Sequence, residues 1–145
     1  MTSHNGPLLA EDGAYLLVKF DQRDRQVVVR TKVCLDLPDR SINEPPERQI
    51  CLSLKVAQKH VLELAANRSL PIIWEGAEFV ASVAYVGGHW QGSWEIRLGS
   101  FELESDVINC RDEYTARSMV KIDAHNRGYG SRISWQDGYM EPGLA

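Results

Sequence analysis

The amino-acid sequence predicts an α+β fold, in which one principal α-helix packs on a mainly antiparallel, twisted β-sheet or partly open barrel. Three observations predict this class. Apolar residues alternate along several segments, one window at about 54–67 carries them at helical spacing, and glycine- or proline-containing turns separate these segments. The length of 145 residues suits a single domain over 1–145, with flexible-looking arms at about 1–12 and 136–145.

The first half of the chain is predicted to begin with a hairpin. Its strand, polar turn and second strand fall at 14–20, 21–25 and 26–37. One face of the second strand is apolar, and the other face includes Arg30 and Lys32. Pro45 and Pro46 predict an exposed loop over 38–48, because proline lacks the N–H that the interior of a sheet requires.

The helix is predicted from a capping residue and a stripe. Ser53 is a suitable N-cap, and Pro71 prevents the helix from continuing. The apolar positions that share one side of this helix are Leu54, Ala57, Val61, Leu64 and Ala65.

A long hairpin is predicted over 77–103, with a loop at 87–93. Alternation on its two arms suggests that Tyr85 faces Trp94 and that Val83 faces Ile96, giving one apolar face. Beyond Gly99 the apolar residues move from even to odd positions, which predicts a β-bulge near this glycine.

The last third of the chain is predicted to contain more strands. Residues 106–123 could begin as a helix, but the alternation of Ala116, Ser118, Val120 and Ile122 favours a strand. A turn follows at 125–130, and a short strand is expected at 131–135. No fixed-period repeat is apparent.

Composition restricts the class of protein. A formal net charge of −4 and a pI near 5.5 do not favour nucleic acid as a partner, although a local basic face stays open. No apolar run or leader indicates a membrane, so we expect a soluble, cytoplasmic protein. The three cysteines are too far apart in sequence to suggest a zinc site, and no motif indicates a metal or another cofactor.

The preferred hypothesis is a non-catalytic module that binds another protein through hairpin tips and sheet edges, as an adaptor, inhibitor or immunity-type protein. Aromatic residues on loop tips often contribute strongly to binding. Trp90 could instead fold back over the sheet edge. The candidate binding residues are His89, Trp90, Gln91, Arg127 and Tyr129.

The alternative hypothesis is an enzyme or sensor that binds a phosphorylated ligand or nucleotide. Its candidate residues are Arg30, Lys32, Arg117, Lys121, His125 and Arg132. In this hypothesis His125 acts as a base that Asp123 orients. The same residue types also occur on ordinary solvated faces and surface turns, and no specific catalytic motif is present.

Overall fold

A computed structural model describes residues 8–140 and confirms the α+β class. Over this range it contains two α-helices where one principal helix was predicted, and two open sheets where one was predicted. Each sheet is mainly antiparallel, as predicted, with one parallel pair of strands. The residues group into two compact units, unit 1 up to Gly76 and unit 2 from Ala77 onward. Residues 1–7 and 141–145 of the two predicted arms lie outside the described residues.

Unit 1 is built on the predicted first hairpin. Its elements are a short 3-10 helix at Ala10–Asp12, β1 (Tyr15–Arg23), β2 (Gln26–Asp36), β3 (Ser41–Asn43), β4 (Glu47–Cys51), α1 (Leu54–Arg68) and β5 (Ile72–Trp74). β1 pairs antiparallel with β2 and parallel with β5, while β3 and β4 both pair with β2. The prediction of an exposed loop over 38–48 was therefore wrong in part. This segment contains β3 and the start of β4, which lie on either side of Pro45 and Pro46.

The predicted first helix is confirmed as α1. Ser53 Oγ accepts a hydrogen bond from the Val56 N–H at 3.2 Å, which satisfies one of the free donors of the first turn. The buried stripe consists of Ala57, Val61 and Ala65.

Unit 2 has a similar order of elements. They are β6 (Glu78–Val86), β7 (His89–Leu98), β8 (Phe101–Cys110), α2 (Glu113–Asn126) and β9 (Ile133–Trp135). The sheet order is β8-β7-β6-β9, with β9 parallel to β6 and the other neighbours antiparallel. β9 lies within the short strand that the sequence predicted.

The predicted pairing of the central hairpin was wrong. Tyr85 pairs with Trp90, four residues from the predicted partner Trp94, and Trp94 pairs with Ala81. The cause is the turn, because Gly87 and Gly88 both have positive φ and connect β6 to β7 directly. Two glycines in this conformation allow a two-residue turn where the sequence suggested a seven-residue loop. Residues 89–91 therefore belong to β7.

The change of apolar parity near Gly99 has two structural causes. Gly99 has a φ of +63° and lies in a second hairpin turn, between β7 and β8. The second arm of the predicted hairpin is therefore divided into two strands at this glycine. The irregularity in pairing lies between Ile96 and Arg97, opposite the buried Leu103. The expected extra residue is thus present a few positions from the glycine.

The strand predicted over 116–122 was wrong, because this segment is part of α2. Asp112 caps the helix, with Oδ1 accepting from the Thr115 N–H at 2.7 Å. Ala116, Val120 and Ala124 form its buried stripe, whereas Ile122 is 50% exposed.

The two units repeat one architecture, in which antiparallel strands precede a helix and a short strand parallel to the first. The third strand of unit 2, β8, corresponds in unit 1 to two shorter strands, β3 and β4, which both pair with β2. The parallel pairs Leu16–Ile72 and Phe79–Ile133 occupy equivalent positions. Each helix buries alanine, valine and alanine four residues apart, and each returning strand ends in tryptophan. Within the described range no helix is long and apolar enough to cross a membrane.

Candidate protein-binding surface

The β6–β7 turn presents a partly exposed aromatic pair. The ring centroids of Tyr85 and Trp90 lie 5.5 Å apart, and Tyr85 is 63% exposed. Trp90 also pairs with Cys110 of β8, so the three side chains form one row across the sheet. His89 and Gln91 are partly exposed on either side of Trp90 along β7. We call the Tyr85–Trp90 pair the aromatic end.

The other two predicted binding residues lie elsewhere in unit 2. Tyr129 is 7% exposed, and its ring centroid is 5.5 Å from that of Phe79. The Arg127 guanidinium lies 4.5 Å from the centre of the Trp94 ring. Phe79 and Tyr85 are six residues apart on β6, which corresponds to roughly 20 Å. The structure therefore does not bring Arg127 and Tyr129 to the aromatic end.

Tyr129 belongs to the core of this unit. Burial raises the pKa of Tyr129 to about 12, and the nearby negative charge of Glu104 acts in the same direction. Its hydroxyl is buried without a hydrogen-bond partner among the described residues. A buried ring of this kind stabilises the core by packing, so Tyr129 does not belong to a protein-binding surface.

Strand β8 forms one edge of the unit 2 sheet. Among the strands of the described range it pairs with β7 alone, through nine of its ten residues. Beyond the irregularity at Leu103 the pairing is regular from Glu104 to Cys110. Such an edge has backbone N–H and C=O groups that no neighbouring strand uses, and these groups can pair with another chain. Val107, near the middle of this stretch, is 53% exposed.

The edge strand also carries negative charge. Glu102, Glu104 and Asp106 lie at alternate positions of β8. Unit 2 contains ten acidic and six basic residues, whereas unit 1 contains ten of each. The net charge of −4 is thus carried by the unit that contains β8.

One backbone donor of β8 is engaged by a side chain. The Val107 N–H donates to Asp106 Oδ1 at 2.8 Å. Acidic side chains on edge strands reduce uncontrolled pairing between sheets, because they add charge and compete for edge donors. Asp106 therefore gives this edge both negative charge and a local acceptor.

The residues of the alternative, phosphate-binding set are divided between the units. Arg30 and Lys32 lie on β2 of unit 1. The other four lie in unit 2, with Arg117, Lys121 and His125 on α2 and Arg132 in the turn before β9.

Arg117 is held by neighbours within unit 2. Its guanidinium binds Glu113 at 2.8 Å and Asp137 at 3.0 Å, and lies 3.8 Å from the centre of the Tyr139 ring. Burial would raise the pKa of Asp137, but hydrogen bonds from Arg117 and from the Val83 and Tyr139 N–H groups hold it below its ordinary value. This network attaches residues 137–139 to α2 and leaves Arg117 little freedom to bind a ligand.

Asp123 and His125, the acid–base pair of the alternative hypothesis, do not contact each other in the way that hypothesis requires. Asp123 Oδ2 accepts a hydrogen bond from Trp94 Nε1 at 2.9 Å. His125 is exposed in the last turn of α2, and residues two apart on a helix point to nearly opposite sides. Arg132 donates to the carbonyl oxygens of Gly128 and Tyr129. Over residues 8–140 no three His, Cys, Asp or Glu side chains are grouped closely enough to hold a metal ion.

Sequence reasoning missed β8 as a separate edge strand. The available signal was Gly99-Ser100, a turn dipeptide that divides the predicted long arm into two strands. Comparison with protein-family models, curated proteins and solved structures found no match for this chain.

Proposed function

We propose that this protein is a non-catalytic, protein-binding module whose β8 edge takes up an extended, basic segment of a partner as an additional strand. The observation that carries this proposal is the regular edge from Glu104 to Cys110, which pairs on one side with β7. In strand addition the main-chain hydrogen bonds provide affinity, while alternate side chains provide specificity.

The charge of the edge selects the chemistry of the partner. A strand added beside β8 would place its side chains next to Glu104 and Asp106, roughly 5 Å away across the new ladder. Opposite charges on directly paired residues stabilise a sheet, and like charges destabilise it. The preferred segment therefore alternates lysine or arginine with apolar residues.

The aromatic end supplies a second contact. Cys110 ends β8 in the same cross-strand row as Trp90 and Tyr85. A partner strand beside Cys110 would lie about 10 Å from Trp90 and about 14 Å from Tyr85, which are two and three strand spacings. Amphipathic rings that are partly exposed are frequent anchors of protein interfaces.

The role fits an adaptor, inhibitor or immunity-type protein, which needs a surface and no reaction centre. We place it in the cytoplasm because Cys34, Cys51 and Cys110 are free thiols, as is usual in reducing compartments. The enzyme or sensor hypothesis is less well supported, since Asp123 binds Trp94 and Arg117 is held by Glu113 and Asp137.

Charge reversal at the edge tests the proposal. The probe is a fluorescein-labelled octapeptide in which lysine and valine alternate, and binding is measured by fluorescence anisotropy at low salt. Asp106→Lys should weaken binding at least fivefold. The matched control is Glu63→Lys, which makes the same charge change on the exposed side of α1 in unit 1 and should leave affinity within twofold. Equal losses in both variants would show that overall charge, and not the β8 edge, attracts the peptide.

A further inference from the structure

Three basic residues form a row across the sheet of unit 1. Lys19 of β1 pairs with Arg30 of β2, and Arg30 pairs with Arg48 of β4. Directly paired residues on neighbouring strands point to the same side of a sheet, so the three side chains share one face. All three are exposed, and the row spans about 10 Å at the usual strand spacing. We call these residues the basic row.

The basic row is unfavourable for the isolated fold. Like charges at directly paired positions destabilise a sheet, and here two such pairs are adjacent. No ion pair or side-chain hydrogen bond links these three residues to an acid within 8–140. The acid on the same strand as Lys19 is Asp21, which binds Arg23 at 3.1 Å. A bound anion would relieve this repulsion.

Comparison with unit 2 shows that this architecture does not require the three positive charges of the basic row. The row equivalent to Lys19–Arg30–Arg48 consists of Ser82, Ser93 and Val107, which are all neutral. Ser82 and Ser93 are linked by a hydrogen bond of 3.1 Å between their hydroxyl oxygens. The same position in the same fold is thus neutral in one unit and triply cationic in the other.

We propose that the basic row binds consecutive phosphates of a single-stranded nucleic acid. Arginine suits phosphate because its planar guanidinium donates two parallel hydrogen bonds, and the row contains two arginines. An open sheet face suits an extended backbone better than a small, enclosed ligand. Lys32, two residues from Arg30 on the same face, provides a further charge beside the row.

A single strand fits the charge of the whole chain better than a duplex. A duplex carries one charge per about 1.7 Å of its axis, about twice the density of one strand, and the chain as a whole has a formal net charge of −4. Repulsion from the acidic residues therefore increases more for a duplex. This site is separate from the β8 edge and does not depend on the protein-binding proposal.

The test removes the basic row and compares it with equal charge removal elsewhere. The probe is fluorescein-labelled oligothymidine of about twenty nucleotides, followed by anisotropy over a series of salt concentrations. Three ion contacts on a single strand give a slope of log K against log salt of about −2. The triple variant Lys19→Gln, Arg30→Gln, Arg48→Gln should bind at least tenfold more weakly at low salt, with a slope near zero.

The control variant is Arg25→Gln, Lys55→Gln, Lys59→Gln, which removes the same charge from exposed positions of unit 1. It should keep most of the affinity and the slope. Circular dichroism should show that both variants are folded, and the basic-row variant should melt no lower than the wild type. Equal losses in the two variants would overturn the proposal. The proposal would also be overturned if polyglutamate competed as well as oligothymidine, because the row would then bind an acidic polypeptide. Tighter binding of a duplex of equal length would likewise contradict it.

Discussion

Gly92 is the position where the packing of unit 2 can be tested most sharply. It lies in β7 beneath α2, and a Cβ atom there would be 3.0 Å from Val120 Cγ2 and 3.2 Å from the Ala116 carbonyl oxygen. Val120 can adjust its side chain, but the Ala116 oxygen belongs to the helix backbone. Gly92→Ala therefore requires α2 to move away from the sheet by several tenths of an ångström.

The expected cost follows from two opposing effects. Overpacking a core by one methyl group costs about 1–3 kcal/mol. Replacing glycine by alanine at a compatible backbone conformation returns about 0.4–1 kcal/mol through the unfolded chain, and Gly92 does not have a positive φ. We expect a net loss of about 1–2 kcal/mol in the free energy of unfolding, which corresponds to a fall in Tm on the order of 5 °C for a small unit.

The assay is urea denaturation followed by tryptophan fluorescence, together with a thermal melt. Gln91→Ala is the control, because this neighbouring residue lies on the opposite face of β7 and should change stability by less than about 0.5 kcal/mol. An unchanged or higher stability of Gly92→Ala would refute the close approach of α2 to β7. A large loss in Gln91→Ala would show that the two faces of β7 are exchanged.

Three further predictions concern single side chains. Trp94→Ala should destabilise the protein by about 3–5 kcal/mol, because it removes a buried ring and its hydrogen bond to Asp123, while Trp90→Ala should lower Tm only slightly. The opposite ranking in thermal melts would contradict the burial of Trp94 beneath α2 and the partial exposure of Trp90 at the strand end. Tyr129→Phe should leave the free energy of unfolding unchanged or raise it by up to about 1 kcal/mol, since it removes an unpartnered hydroxyl. In an alkaline titration followed by absorbance at 295 nm, this variant should lack a tyrosine that ionises near pH 12 in the wild type. Hydrogen bonds from Arg68 hold the pKa of Glu44 below its ordinary value, so their stabilisation is present above about pH 4.3 and is lost as pH falls through the lowered pKa. Glu44→Gln should therefore cost about 1 kcal/mol at pH 7 and almost nothing in strong acid, and a pH-independent cost in urea melts would contradict this reasoning.

Local patterns in the sequence predicted α1 but not α2. The N-cap, the apolar stripe and Pro71 all indicated the same helix. In α2 the stripe that includes Ala116 and Val120 is equally regular. With Ser118 and Ile122, however, these residues also form the alternating pattern that is typical of a strand. Residues four apart share a face in both structures, so a short segment does not distinguish the two periods. The cap at Asp112 and the buried stripe shared with α1 were the signals that favoured a helix.

The register of the central hairpin depended on the turn. Alternation identified the buried residues Phe79, Ala81 and Trp94 correctly, because any even shift of register keeps the same face. It did not identify their partners, since those depend on the length of the turn. The positive φ angles of Gly87 and Gly88 determine that length, and they move His89 and Trp90 from a loop into β7.

The candidate sites required knowledge of pairing between strands. Lys19, Arg30 and Arg48 are separated by 11 and 18 residues in sequence, and only the register of β1, β2 and β4 places them side by side. The open edge of β8 likewise depends on the order of strands in the sheet. Such long-range relations arise from chain topology and leave no local periodicity in the sequence.

The most direct test of the β8 proposal is residue-level nuclear magnetic resonance of the isotope-labelled protein during titration with the alternating lysine–valine octapeptide. We predict shifts and slowed amide exchange concentrated at residues 104–110, with smaller shifts at Tyr85 and Trp90 and no effect from the peptide with glutamate in place of lysine. Changes concentrated outside β8, or equal changes with the glutamate peptide, would contradict strand addition at this edge.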